Sequence, residues 1–105
     1  MEIDTKKAVH YYELAAMKGN VDARAKLGVH EYKSGNRQRA MKHLVLAARA
    51  GHKLSLNAVK GGYMDGIVTK DEYANVLREY QKSQDEMKSD MRDKAQEHAL
   101  MFSLR

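Results

Sequence analysis

The segment from residue 8 to residue 51 contains an internal repeat with a period of 32 residues. At this offset, five of the twelve residues 8–19 find an identical partner. The identical pairs are Ala8 and Ala40, Leu14 and Leu46, Ala15 and Ala47, Ala16 and Ala48, and Gly19 and Gly51. A repeat of this length, made of two short helical segments, predicts stacked helix hairpins that bury their apolar faces against one another.

Composition restricts the fold to the all-α class. The 105-residue chain has no proline, is 43% hydrophobic and has seven aromatic residues. Alanine, lysine, glutamate, methionine and leucine are abundant, and all of them favour helices. We therefore expect one all-α domain spanning residues 1–105, an α-solenoid of antiparallel helix hairpins with about five helices.

Stop and cap residues divide the chain into helices at about 5–18, 21–34, 37–50, 53–64 and 70–98. Gly19-Asn20 and Gly35-Asn36 each combine a helix-ending glycine with an N-cap residue. Thr69 and Glu72 form a capping box for the last helix. Connections of two residues predict antiparallel neighbours in close contact. Small residues at the predicted contacts would let the helices approach, and leucines would fill the remaining volume: Ala15, Ala16, Ala23, Gly28, Ala40, Ala47 and Ala48, with Leu14, Leu27, Leu44 and Leu46.

The fifth helix is too long for the hairpin it belongs to. Its first part, with Tyr73 and Val76, should pack on the fourth helix. Beyond Gln81 it is mostly polar, with Met87, Met91 and Ala95 at four-residue steps. The second half either projects into solvent, folds back along the helices or pairs with another chain, which leaves open a homodimer through residues 80–105. The final stretch 100–104 is unusually apolar for a chain end.

The pattern Tyr11-Tyr12-x-x-Ala15-Ala16-x-x-Gly19-Asn20-x-x-Ala23-x-x-x-Leu27-Gly28 resembles the signature of the Sel-one-like repeat, a relative of the tetratricopeptide repeat. The resemblance covers about residues 5–80. The turn at 34–36 is shorter than that of the family, and Tyr73 and Tyr80 replace expected alanines. Large residues there suggest a terminal repeat.

The resemblance implies a protein-interaction adaptor, without catalysis, that binds a peptide or a helix on its concave face. In the family this face is formed by a second stripe on the second helix and by its counterpart on the fourth helix. The corresponding residues are Asp22, Ala25, Val29, Tyr32 and Lys33, with Asn57 and Met64.

Charge provides an alternative function. Residues 1–64 carry twelve Lys/Arg against five Asp/Glu, and residues 65–105 carry seven against nine. The basic part could bind nucleic acid through Arg24, Lys26, Lys33, Arg37, Arg39 and Lys42. Binding that weakens steeply with salt would distinguish this alternative from protein binding.

Catalytic motifs are not expected in this chain. It has no cysteine, and its five histidines form no pair with metal-ligand spacing. Phosphate-binding loops and nucleophile elbows are missing from the sequence, so we predict neither an enzyme nor a cofactor. No signal peptide or membrane-spanning segment is apparent, and the expected location is cytoplasmic or nuclear.

Overall fold

The computed structural model describes residues 5–103, and all five of its elements are helices. They are α1 (Thr5–Met17), α2 (Val21–Lys33), α3 (Arg37–Arg49), α4 (Lys53–Met64) and α5 (Lys70–Ser103). The all-α prediction is confirmed. The first four helices begin at the predicted residues and end within one residue of the predicted ends, whereas α5 extends five residues further. Leu104, part of the apolar end noted above, lies outside the described residues.

The internal repeat is visible in the hydrogen bonds that end α1 and α3. The amides of Gly19 and Asn20 donate to the carbonyls of Ala16 and Ala15, at 2.9 and 3.0 Å. At the end of α3, 32 residues later, the amides of Gly51 and His52 bond the carbonyls of Ala48 and Ala47 in the same way, at 3.0 and 3.1 Å. Gly19 and Gly51 have φ angles of 88° and 102°, which an L-residue rarely adopts. Both ends are thus Schellman motifs.

The helix starts follow the predicted caps at two positions and differ at a third. The Asn20 Oδ1 accepts a bond from the Ala23 amide at 2.9 Å, and the Thr69 Oγ1 accepts one from the Glu72 amide at 3.1 Å. Asn36 makes no side-chain cap bond. Its Nδ2 instead donates to the Glu31 carboxylate at 2.8 Å, across the α2–α3 turn.

Neighbouring helices pack in chain order, and α5 contacts both α3 and α4. The buried side chains form two clusters. One joins α3, α4 and α5 through Met41, Leu44, Ala48, Val59, Val68 and Val76, and the other joins α1 and α2 through Ala16, Ala23 and Leu27. Gly28 connects the two regions, because a Cβ atom there would lie 2.7 Å from Leu44 Cγ. The predicted close approach of α2 and α3 is confirmed.

Two of the four leucines predicted to fill the core do not. Leu14 and Leu46 are 49% and 47% exposed, whereas Leu27 and Leu44 are buried. Leu14 and Leu46 are partners in the repeat and share the same position in α1 and α3. The neighbouring alanines Ala16 and Ala48 occupy the inward side in their place.

The second half of α5 projects from the helix body. Ser83 Oγ and Gln84 Nε2 bond the carbonyls of Ala50 and Gly51, both at 3.3 Å, where α5 passes the end of α3. From Asp85 to Leu100 every residue is exposed. The helix is unbroken from Lys70 to Ser103. Within one chain this segment does not fold back along the helices, and its pairing with another chain stays a prediction. We refer to residues 85–100 as the α5 overhang.

Candidate functional site

A groove of about 380 Å³ runs between α2 and α4, with α3 as its floor. Four of the predicted site residues line its α2 wall: Ala25, Val29, Tyr32 and Lys33. Met41 and Leu44 of α3 form the floor. The α4 side and its following turn contribute Leu54, Ser55, Ala58, Gly61, Gly62, Asp65 and Ile67. The structure therefore brings the predicted stripe of α2 to a concave surface.

The three remaining predicted residues occupy other positions. The Asp22 Oδ1 lies 3.4 Å from the His52 Nε2, so that this contact joins the N-terminal ends of α2 and α4, and neither residue lines the groove. Asn57 and Met64 are exposed and stand outside the groove lining. They are one position away from Ala58 and Asp65, which do line it. Since each residue turns an α-helix by about 100°, a shift of one position selects a different face of α4.

Large apolar side chains around the groove remain open to solvent. Val29 is 47% exposed, Tyr32 45% and Leu54 74%. The charged lining residues are Lys33 and Asp65 alone. The Arg37 guanidinium lies 5.6 Å from the centre of the Tyr32 ring and adds a second cation beside the α2 wall. The groove thus offers an apolar surface with basic groups on the α2 side and a carboxylate at the end of α4.

His52 fixes the start of the α4 wall. Its Nδ1 accepts a bond from the Ser55 amide at 3.2 Å and lies 2.7 Å from the Ser55 Oγ. Ser55 is 1% exposed, so this pairing satisfies a buried hydroxyl. His52 is the repeat partner of Asn20, and both act as N-caps, although the sequence indicated this role only for Asn20 of the two.

Two adjacent glycines of α4 have different surroundings. A Cβ at Gly62 would lie 2.6 Å from the Met41 sulfur and 3.1 Å from a Val68 methyl carbon, so Gly62 is required by packing within the chain. At Gly61 an added Cβ would meet no atom within 4 Å. Glycine lowers helix stability relative to alanine by about 0.5–1 kcal/mol. Among the described residues, no packing contact requires glycine at position 61. Its missing side chain leaves the groove wall open to the close approach of a ligand.

A larger recess of about 640 Å³ lies between α3 and the first part of α5. Its lining includes four charged residues: Lys42, Arg49, Glu72 and Glu79. A surface with this many charges of both signs is less suited to an apolar ligand than the α2–α4 groove.

The basic residues suggested for nucleic-acid binding do not share one surface. The Arg24 Nη2 donates to the Ala16 carbonyl of α1 at 3.4 Å, and the Lys26 ammonium lies 5.2 Å from the centre of the Tyr12 ring. Lys33 lines the α2–α4 groove, and Lys42 lines the α3–α5 recess. These side chains therefore face at least three different parts of the molecule.

The described residues offer no candidate for a metal site or for a membrane-spanning helix. Within residues 5–103, no three histidine or carboxylate side chains converge as possible ligands of a metal ion. In the same part of the chain, every helix is too short or too polar to cross a lipid bilayer.

The imidazole of His43, on α3, has a pKa below its ordinary value. Burial lowers the pKa of its imidazole below 6.5, and the nearby Arg24 and Arg39 lower the pKa further, against the opposing effects of Glu31 and Glu13. The buried Nδ1 atom has no hydrogen-bond partner. Below pH 6.5 the unfolded chain consequently binds more protons at this residue than the folded chain does, and protonation favours unfolding.

We expect the thermal midpoint of the wild type to fall more steeply than that of His43→Gln between about pH 7.5 and about pH 5.5. Circular dichroism at both pH values measures this difference. The other four histidines are present in both proteins, so the difference between the two pH dependences reports on His43 alone. Parallel pH dependences would contradict the expected role of His43.

Comparison of the chain with protein-family models, with curated protein sequences and with solved structures finds no match.

Proposed function

We propose that this protein is a non-catalytic interaction module of the Sel-one-like, tetratricopeptide-related type, an α-solenoid that binds a peptide or helix in the α2–α4 groove. The observation that carries the proposal is the set of large apolar side chains exposed around one concave surface. Val29, Tyr32 and Leu54 are each at least 45% exposed along the same groove. Exposed apolar groups concentrated in a concave surface are typical of binding sites, whereas isolated ones are common on any surface.

The shape of the groove supports a helix or an extended segment as the ligand. Its two walls are helices of 13 and 12 residues, which correspond to about 20 Å of length. Ala25, Ala58 and Gly61 keep the walls low, so that a ligand backbone can approach closely. Tyr32 combines a large contact area with a hydroxyl group, and tyrosine is one of the residue types enriched among the dominant contacts of interfaces.

The internal repeat supports the proposal that the fold is an α-solenoid. Two hairpin segments with matching Schellman ends and matching N-cap positions lie 32 residues apart, and the repeat partners Ala16 and Ala48 are both buried. Of the basic residues of the alternative function, Arg24 and Lys26 face α1, Lys33 lines the groove and Lys42 lines the recess, which gives nucleic-acid binding less support. Binding to generic RNA or DNA that weakens steeply with rising salt would still identify nucleic-acid binding.

Peptide selection tests the proposed function. We expect a displayed library of random peptides to yield ligands for the wild-type chain whose Kd rises at least tenfold in the variant Val29→Asp with Tyr32→Ala. The variant removes the principal aromatic contact and places a carboxylate in the apolar wall. Isothermal titration calorimetry measures both affinities.

A matched control uses a second exposed aromatic and aliphatic pair. Tyr11 and Leu14 of α1 are 68% and 49% exposed and do not belong to the groove lining. The variant Leu14→Asp with Tyr11→Ala should leave the Kd within about twofold. Equal losses in both variants, or no loss in the groove variant, would contradict the proposed site.

A further inference from the structure

The α5 overhang presents an amphipathic surface that is unlike the rest of the helix. Met87, Met91 and Ala95 follow at four-residue steps and therefore lie on one side of the helix. Met87 and Met91 are 53% and 65% exposed. Methionine is unbranched and flexible, which lets it fit an irregular apolar surface.

Each edge of this stripe carries charges of both signs. At 100° per residue, Lys94, Asp90 and Glu97 follow one edge of the stripe, and Lys88, Arg92 and Asp85 follow the other. Asp90 also bonds the exposed Lys94 at 3.5 Å. The groove also carries charges of both signs, with Lys33 and Arg37 on its α2 side and Asp65 at the end of α4.

Net charge favours contact between the overhang and the helix body over contact between two overhangs. The overhang, residues 85–100, carries five Asp/Glu and three Lys/Arg, a net charge of −2. Residues 5–64, which form α1 to α4, carry three Asp/Glu and twelve Lys/Arg, a net charge of +9. Two overhangs side by side would bring together segments of the same sign, whereas an overhang on the helix body brings together opposite signs.

Taking the α2–α4 groove as the binding surface proposed above, we propose that its occupant is the α5 overhang of a second copy of this chain. The overhang has 16 residues, about 24 Å of helix, and its stripe from Met87 to Ala95 spans about 12 Å, the same length as the groove lining on α2, residues 25–33. Because α5 is unbroken and leaves the body at Gln84, it cannot turn back into the groove of its own chain. Reciprocal exchange between two copies fills both grooves and closes a two-fold dimer.

Thiol cross-linking tests this pairing, because the natural chain has no cysteine and each introduced thiol is the only one present. Leu54→Cys places a thiol on the groove, and Met91→Cys places one on the apolar stripe of the overhang. With a size tag on one variant, we expect a mixed disulfide when the two are oxidised together. The control Ser89→Cys lies on the opposite side of the overhang and should yield at least tenfold less mixed disulfide with Leu54→Cys.

Each other outcome overturns the proposal. A disulfide between two Met91→Cys chains in preference to the mixed product would show that overhangs pair with each other. Absence of any mixed product, together with a wild type that remains monomeric in sedimentation velocity at high concentration, would show that the chain does not self-associate in this way. If the mixed disulfide does not form but selected peptides lose affinity in the Val29 and Tyr32 variant, the groove binds a different protein and only the choice of occupant fails. If those peptides are unaffected by the variant, the proposed function itself fails.

Discussion

Leu44→Ala is expected to lower the free energy of unfolding by about 3 kcal/mol, because the substitution removes buried atoms from the centre of the molecule and leaves a cavity. Leu44 is 4% exposed and belongs to the cluster that joins α3, α4 and α5. It also lies against Gly28 of α2 and forms part of the groove floor. One side chain thus supports contacts with elements on both sides of α3. Chemical denaturation followed by circular dichroism measures the change.

Leu46 provides a control of the same residue type on the same helix. It is 47% exposed, so that Leu46→Ala should cost less than about 1 kcal/mol. The comparison cancels the helix propensities of leucine and alanine, which are the same at both positions. Similar losses in the two variants would contradict the orientation of α3 in the structure.

Gly28→Val is expected to lower the free energy of unfolding by about 2–3 kcal/mol through overpacking between α2 and α3. A Cβ at this position would lie 2.7 and 2.9 Å from the Cγ and Cδ2 atoms of Leu44, and 3.3 Å from the Ala40 carbonyl oxygen. Leu44 is buried and the carbonyl belongs to a helix backbone, so neither can move without displacing other contacts.

The matched substitution is Gly61→Val, where an added Cβ meets no described atom within 4 Å beyond its chain neighbours and the backbone of its own helix. We expect a stability change below about 0.5 kcal/mol, since valine and glycine differ little in helix propensity. Denaturation midpoints of the two variants give the comparison. A loss at Gly61 as large as that at Gly28 would show that the groove wall is packed rather than open.

Helix boundaries could be predicted from sequence because local chemistry determines them. Glycine followed by asparagine at 19–20 ends one helix and begins the next through bonds within a few residues. The Thr69 cap is local in the same sense. Asn36 departs from the pattern because the Glu31 carboxylate across the turn competes for its side chain.

The inward sides of α1 and α3 could not be assigned with the same certainty. Both helices carry alanines and a leucine at adjacent positions, such as Leu46 beside Ala47 and Ala48, so the apolar residues occupy more than half of the helix surface. A close helix contact favours the small side chains on the inside and turns the leucine outward. That choice depends on the distance between helix axes, which is a property of the packed structure.

The face of α4 that forms the groove wall could not be predicted from the sequence either. The α2 stripe could be read from its own spacing, but the face that α4 presents depends on how α4 packs on α3. Gly62, with Met41 and Val68 in contact range of its missing side chain, sets this rotation. The wall is consequently formed by Ala58 and Gly61 rather than by Asn57 and Met64. The spacing of 54, 58, 61 and 65 was present in the sequence as a stripe, but nothing local distinguished it from its neighbours.

The role of the α2–α4 groove as the binding surface is tested most directly by a map of backbone amide chemical shifts during titration with a selected peptide. We expect the largest changes at Val29 and Tyr32 of α2 and at Leu54, Ala58 and Gly61 of α4, with small changes along α1. Changes confined to α1, or to the α3–α5 recess around Lys42 and Glu79, would contradict the assignment of the α2–α4 groove as the binding surface.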